Sequence, residues 1–103
     1  MVIYKYPIHN SGDIISAPFV KLLDIQYQDG IPMLWAVVDP DRVQDTEVCF
    51  NVLGTGWEFE GSPGTYVKTL QDDYGFVWHF FIASRSQTLV HSFGKAPQAA
   101  VMA

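Results

Sequence analysis

The segment most like a ligand-binding loop is LGTGWEFEGSPGTY, residues 53–66, in which four glycines and a tryptophan lie between two predicted strands. A glycine loop that binds phosphate usually precedes a helix N-terminus and is followed by a lysine. Here no helix is predicted after the glycines, and the next charged residues are Glu58 and Glu60, which would repel a phosphate. The glycines therefore favour a change of strand direction that needs positive φ or a bulge.

A second interpretation of the same segment gives it a binding role. The Trp57 side chain would stack on a base or a peptide ring, while the backbone of Gly54, Thr55 and Gly56 allows a close approach. The sequence leaves both interpretations open.

Other residues of types that could catalyse a reaction or bind a metal lack the spacing that either role requires. The acidic segment 39–47 has no mid-loop glycine and no flanking helices, unlike a calcium loop. No two histidines are spaced to share one strand face, and Cys49 lies between Glu47 and Asn51, which disfavours its thiolate. His79 is expected to be a hydrogen-bonded core or interface histidine with Tyr66, Lys68 or Thr69 as its partner. We therefore predict a protein that is not an enzyme and needs no metal or cofactor.

Charge and composition narrow the classes of partner. Six basic residues are scattered along a chain of net charge −5, which disfavours binding to nucleic acid because that affinity depends on neutralising phosphates. No apolar run reaches the roughly 20 residues of a membrane helix, and the first residues lack the apolar stretch of a signal peptide. The single cysteine excludes an internal disulfide. These features predict a cytoplasmic protein without a membrane partner.

Alternating apolar residues and turn signals predict strands along most of the chain. Asp29-Gly30 favours a type I′ hairpin that places Tyr27 opposite Pro32, Ile25 opposite Leu34 and Leu23 opposite Ala36. A second hairpin joins TYVKTL to FVWHFFIA across QDDYG, and EVCFNVL supplies a strand between the hairpins. The fold class predicted is all-β, a compact antiparallel sandwich or small barrel of about six to eight strands with little or no helix. We predict a single domain over residues 1–93 and a flexible tail over residues 94–103.

More apolar positions are predicted than one small core can cover. Met33, Trp35 and Val37 lie together on one strand, and Val77 and Phe81 on another. Either a second layer of the same chain covers them, or a homo-oligomer or host-protein interface does, with Trp35 as an anchor.

Four motifs occur in order along the chain: YKYPI, MLWAVVDPD, FNVLGTG and YVKTLQDDYGFVWHFF. As a set they resemble a family of short uncharacterised proteins of tailed phages and prophages, from about residue 2 to residue 82. Members of that family tend to carry a histidine after Gly-Thr-Gly, whereas this chain has Trp57. The resemblance implies a phage or prophage accessory protein in the bacterial cytoplasm and implies no reaction.

Three functions follow as hypotheses. The first is a non-enzymatic protein that binds a host protein, as a counter-defence inhibitor does. The second is an oligomeric sponge that holds a small nucleotide-like signal between Trp57, the Gly-Thr-Gly backbone and Arg85 or Lys68. The third is a structural protein of the virion.

Overall fold

A computed structural model describes residues 1–43 and 46–83, and these residues form seven strands and no helix. The strands are β1 (Val2–Pro7), β2 (Ile14–Ala17), β3 (Phe19–Gln28), β4 (Ile31–Val38), β5 (Thr46–Gly54), β6 (Thr65–Gln71) and β7 (Val77–Ile82). They form a three-stranded sheet in the order β1-β4-β3 and a four-stranded sheet in the order β2-β5-β7-β6, antiparallel throughout. The predicted all-β class and strand number are confirmed. The predicted tail, residues 94–103, lies outside the described residues.

The core lies between the two sheets and follows the alternation of the strands. On β4 the buried side chains are Leu34, Ala36 and Val38, while the residues between them are half-buried on the outer face. The opposite sheet contributes a matching set of fully buried residues, namely Val48, Phe50, Phe80 and Ile82. Because the core receives one face of each sheet, the architecture is a β-sandwich.

The register of the first hairpin is confirmed near its turn and wrong further away. Tyr27 pairs with Pro32 and Ile25 pairs with Leu34, as the Asp29-Gly30 turn predicts. Ala36, however, pairs with Leu22 instead of Leu23. A β-bulge at Leu23 adds one residue to β3, and the extra residue reverses the alternation, so that Leu22 is the side chain that is buried.

An ion pair joins the edge strands of the two sheets. Lys68 Nζ on β6 lies 2.9 Å from Asp24 Oδ1 on β3. Burial acts to raise the pKa of Asp24. The hydrogen bond from Gln26 and the hydrogen bond and charge of Lys68 outweigh burial, and the pKa of Asp24 lies below its ordinary value. The pair is partly exposed, so it contributes no more than about 1 kcal/mol to stability.

Trp35 and Phe81, on the outer faces of the two sheets, are half-buried and contact neighbours on adjacent strands. The ammonium of Lys5 lies 5.7 Å from the centre of the Trp35 ring, and Lys5 also donates a hydrogen bond to Gln28. On the other sheet, Tyr66 packs edge-on against Phe81 with the ring centres 5.9 Å apart. Intramolecular contacts thus supply part of the cover that these residues need, and a partner at Trp35 and Met33 stays a prediction.

The connection between β5 and β6 ends in a close backbone contact at Gly64. Its φ is +115°, and a Cβ at this position would lie 2.0 Å from the carbonyl oxygen of Ile82. Gly61 in the same connection also has positive φ, +71°, but a Cβ there would meet no atom within 4 Å. Substituting the two glycines therefore distinguishes the loss of stability caused by backbone strain from the loss caused by a steric clash.

We expect Gly61→Ala to lower the free energy of unfolding by about 1–2 kcal/mol, because only backbone strain is added. Gly64→Ala adds the clash with β7 to a similar strain and should cost more than about 3 kcal/mol. Urea denaturation of both variants measures the difference. Equal losses for the two variants would contradict the close approach of Gly64 to β7.

Candidate functional site

A cleft of about 440 Å³ opens between the two sheets at one end of the sandwich. It lies where β1, β3, β5 and β6 end and where β4 and β7 begin. Its apolar base includes the side chains of Ile8, Pro32, Val52 and Phe80. The volume lies within the range of small-molecule pockets in proteins, about 300–1,000 Å³.

Aromatic rings from three different elements border the cleft. Trp57 follows β5 and Trp78 lies on β7, and their rings pack edge to face with centres 5.4 Å apart and planes at 87°. Phe76 extends the cluster, with its ring centre 6.4 Å from that of Trp78. Tyr27, at the end of β3, contributes a ring from the other sheet.

The Gly-Thr-Gly turn places Trp57 at the cleft. The N–H of Trp57 donates to the carbonyl of Gly54 at 3.1 Å, which closes a turn with φ +88° at Gly56. The N–H of Thr55 donates to the carbonyl of Val77 at 3.2 Å and ties the turn to β7. Gly54 itself is buried, and a Cβ on it would lie 2.9 Å from the indole of Trp57. The turn is therefore a corner of the chain that also sets the position of a ring in the cleft.

A chain of side-chain hydrogen bonds fixes this turn to the four-stranded sheet. Thr55 Oγ1 lies 2.8 Å from His79 Nε2, and Thr69 Oγ1 lies 3.0 Å from His79 Nδ1. Tyr66 completes the chain with its hydroxyl 2.8 Å from Thr69 Oγ1. Thr69 was one of the three partners predicted for His79, and Thr55 was not among them. Because each ring nitrogen has a hydroxyl partner, His79 on β7 links the Gly-Thr-Gly turn, through Thr55, to Thr69 on β6.

Asp72 organises the connection between β6 and β7. Its Oδ1 accepts the backbone N–H groups of Tyr74 and Phe76, each at 2.9 Å. Its Oδ2 accepts the indole N–H of Trp78 at 2.9 Å. One carboxylate thus folds the loop and orients the ring that Trp57 packs against.

The same hydrogen bonds lower the pKa of Asp72. The bond from Trp78 has the largest effect on the pKa of Asp72 and lowers it, burial opposes this, and the backbone donors Phe76 and Tyr74 lower the pKa further. The pKa of Asp72 lies below its ordinary value, and the group is ionised at neutral pH. Across the cleft, burial and then the negative charges of Asp72 and Asp73 raise the pKa of Tyr27, which stays a neutral phenol.

The predicted site residues divide into three locations. Trp57 lines the cleft, and Gly54, Thr55 and Gly56 form the turn that carries it. Trp35 and Met33 lie on the outer face of the three-stranded sheet, away from the cleft. Lys68 pairs with Asp24 at the edge of the sandwich. Arg85 lies outside the described residues.

Among the residues lining the cleft that sequence reasoning missed are Asp72, Trp78 and Tyr27, which supply its carboxylate and two of its aromatic rings. A turn at QDDYG was predicted, and an aspartate at the start of a turn commonly accepts backbone N–H groups. That signal gives the fold of the loop. It does not indicate that the second carboxylate oxygen accepts an indole N–H, since this depends on how β7 pairs with β6.

Comparison with known proteins gives a family and no function. Residues 1–90 match the family model DUF7352, described as a domain of unknown function. No curated protein and no solved structure matches the chain. Within residues 1–43 and 46–83, no three His, Cys, Asp or Glu side chains are grouped as metal ligands, and no helix long and apolar enough to cross a membrane occurs.

The contact between Gly54 and Trp57 predicts a local effect for Gly54→Ala. The added methyl group would displace the Trp57 indole from Trp78, and the coupled near-ultraviolet circular dichroism of the two rings should fall to the level of Trp57→Phe. Stability should change by less than about 1.5 kcal/mol, because a half-exposed ring can move outward. Trp35→Phe is the control and should keep the coupled signal. An unchanged signal in Gly54→Ala would contradict the placement of Trp57.

Proposed function

We propose that this chain, which belongs to the DUF7352 family, is a non-enzymatic binding protein that captures a partner protein at the open end of its sandwich. The observation that carries the proposal is the concentration of exposed aromatic side chains there. Phe59 is 55% and Trp57 is 56% exposed in the connection after β5, and Phe76 is 63% and Tyr74 is 87% exposed in the connection between β6 and β7.

Exposed aromatic clusters next to a cleft are typical of protein-binding surfaces. Tryptophan, tyrosine and phenylalanine are enriched at interfaces, where each buries a large area at a small cost in side-chain entropy. Aromatic anchors seated beside a pocket account for much of the binding energy in many complexes. Here Asp72 accepts the backbone N–H groups of Tyr74 and Phe76, and the Gly-Thr-Gly turn fixes the backbone at Trp57. The surface is therefore ordered before a partner arrives, which lowers the entropic cost of binding.

The resemblance of the four sequence motifs to those of tailed-phage and prophage proteins is the basis for the biological setting that we propose. In that setting the chain is an accessory protein in the bacterial cytoplasm, and its partner is a host protein that it blocks by occlusion, for example in counter-defence. Binding by occlusion needs an ordered contact surface and no reacting group. A second copy of the chain is the alternative occupant of the same surface.

The nucleotide sponge has less support from the geometry. Trp57 does line a cleft of ligand size, but the charged group next to it is the carboxylate of Asp72. Lys68, one of the two cations assigned to the ligand, lies in an ion pair with Asp24. Among the described residues that line the cleft, only His9 can carry a positive charge. A phosphate would meet an unfavourable field there.

Site-specific photo-crosslinking tests the proposed surface. A benzophenone side chain at Phe76 should yield one predominant adduct with a protein of the bacterial host, and Trp57→Ala in the same chain should reduce its yield. The same probe at Ile3 is the matched control, since Ile3 is 59% exposed but lies on the outer face of the other sheet. Equal adducts from both positions, or adducts from Ile3 alone, would refute the proposal. An adduct of twice the chain mass would replace the host partner with a second copy.

A further inference from the structure

We propose that the cleft binds the side chain of a lysine or arginine, presented by a basic segment of the partner. The inference rests on the proposed function, because it identifies the chemistry of what the aromatic surface captures. It is carried by the juxtaposition of the orthogonal Trp57 and Trp78 rings with the carboxylate of Asp72.

Two indole rings at right angles can contact a cation from two directions. The face of a tryptophan attracts a lysine or arginine cation that lies within about 6 Å of the ring centre. With centres 5.4 Å apart, a cation seated in the angle between Trp57 and Trp78 lies within that range of both rings. The apolar base of the cleft, formed in part by Val52 and Phe80, provides contact for the methylene groups of the same side chain.

The carboxylate of Asp72 supplies the counter-charge. Its Oδ2 accepts the indole N–H of Trp78, and a carboxylate oxygen has lone pairs for a second donor. An ammonium or guanidinium N–H placed against the Trp78 ring can therefore also donate to Asp72. Hydrogen bonds between charged groups are about twice as strong as those between neutral groups.

The electrostatic potential around the cleft is negative, like the charge of Asp72 itself. The charges of Asp72 and Asp73 reach Tyr27 on the opposite sheet, where they add to the effect of burial in raising its pKa. The whole chain has six basic and eleven acidic residues and a net charge of −5. A basic segment is thus attracted at long range as well as at contact.

Another tryptophan of this protein already contacts a cation of the same chain. On the outer face of the three-stranded sheet, the ammonium of Lys5 lies 5.7 Å from the centre of the Trp35 ring. The rings of the cleft are of the same type, yet no lysine or arginine is found among the described residues that line it. The geometry points to a cation supplied by the partner.

Titration with short capped peptides tests the inference. Gly-Lys-Gly and Gly-Arg-Gly are added to the ¹⁵N-labelled protein, with Gly-norleucine-Gly as the uncharged control and Gly-Glu-Gly as the control of opposite charge. We expect saturable shifts of the indole N–H signals of Trp57 and Trp78, with the Trp35 signal as an internal reference. The basic peptides should bind at least about tenfold more tightly than the norleucine peptide, because only they add a charge-assisted hydrogen bond.

Two variants that each remove one negative charge test whether Asp72 causes the preference for basic peptides. Asp72→Asn removes the counter-charge and one acceptor of the loop, so it can lower the affinity for every peptide through Trp78. The ratio of lysine to norleucine affinity isolates the charge and should fall about tenfold. Asp41→Asn is the matched control, because Asp41 is exposed in the connection after β4, at the other end of the sandwich. If Asp72→Asn does not fold, the unmodified protein is titrated at increasing salt concentrations instead. Added salt should weaken binding of the lysine peptide but not of the norleucine peptide.

Three results would overturn the inference. Binding of norleucine as tight as that of lysine would make the cleft merely apolar, and a preference for glutamate would reverse its sign. If no peptide shifts Trp57 and Trp78 while crosslinking at Phe76 persists, the cation inference fails and the proposed function stands. If crosslinking at Phe76 also shows no preference over Ile3, the proposed function fails as well.

Discussion

The hydrogen bonding of Asp72 is the interaction on which the rest of the site depends. Its Oδ1 closes the connection between β6 and β7 by accepting two backbone N–H groups, and its Oδ2 orients the indole of Trp78. Trp57 then has a fixed ring to pack against, and Gly54 leaves the space that this packing needs. The same bonds that order the cleft also stabilise the ionised form of Asp72 and lower its pKa.

The sandwich is closed along its side and open at its end for different reasons. Along the side, the edge strands β3 and β6 approach each other, and the Asp24–Lys68 pair bridges them with charges that compensate one another. At the end, the carboxylate of Asp72 binds neutral donors, so its charge is hydrogen-bonded but not cancelled. Asp24 and Asp72 thus have different effects. Asp24 joins the two sheets through its ion pair, whereas the negative charge of Asp72 is left to attract a ligand.

Much of the fold could be predicted from the sequence because it depends on local patterns. The Asp29-Gly30 turn predicted the pairing of Tyr27 with Pro32 and of Ile25 with Leu34. The bulge at Leu23 could not be predicted, since leucine is not a residue type that marks a bulge. Of the site, only Trp57 and its turn were identified. Tyr27 and Asp72 reach the cleft from different sheets, and their proximity depends on sheet packing, which leaves no signal in a single sequence.

The ionisation of Asp72 is the most direct test of this account. The carboxyl ¹³C shift of Asp72, followed by NMR as the pH is lowered, should give a pKa below the ordinary value of about 3.9 for aspartate. The indole N–H signal of Trp78 should move with the same midpoint, because its acceptor becomes protonated, while the signal of Trp35 should not. Titration of Asp72 at or above its ordinary value, with no response from Trp78, would contradict the claim that this carboxylate organises and charges the cleft.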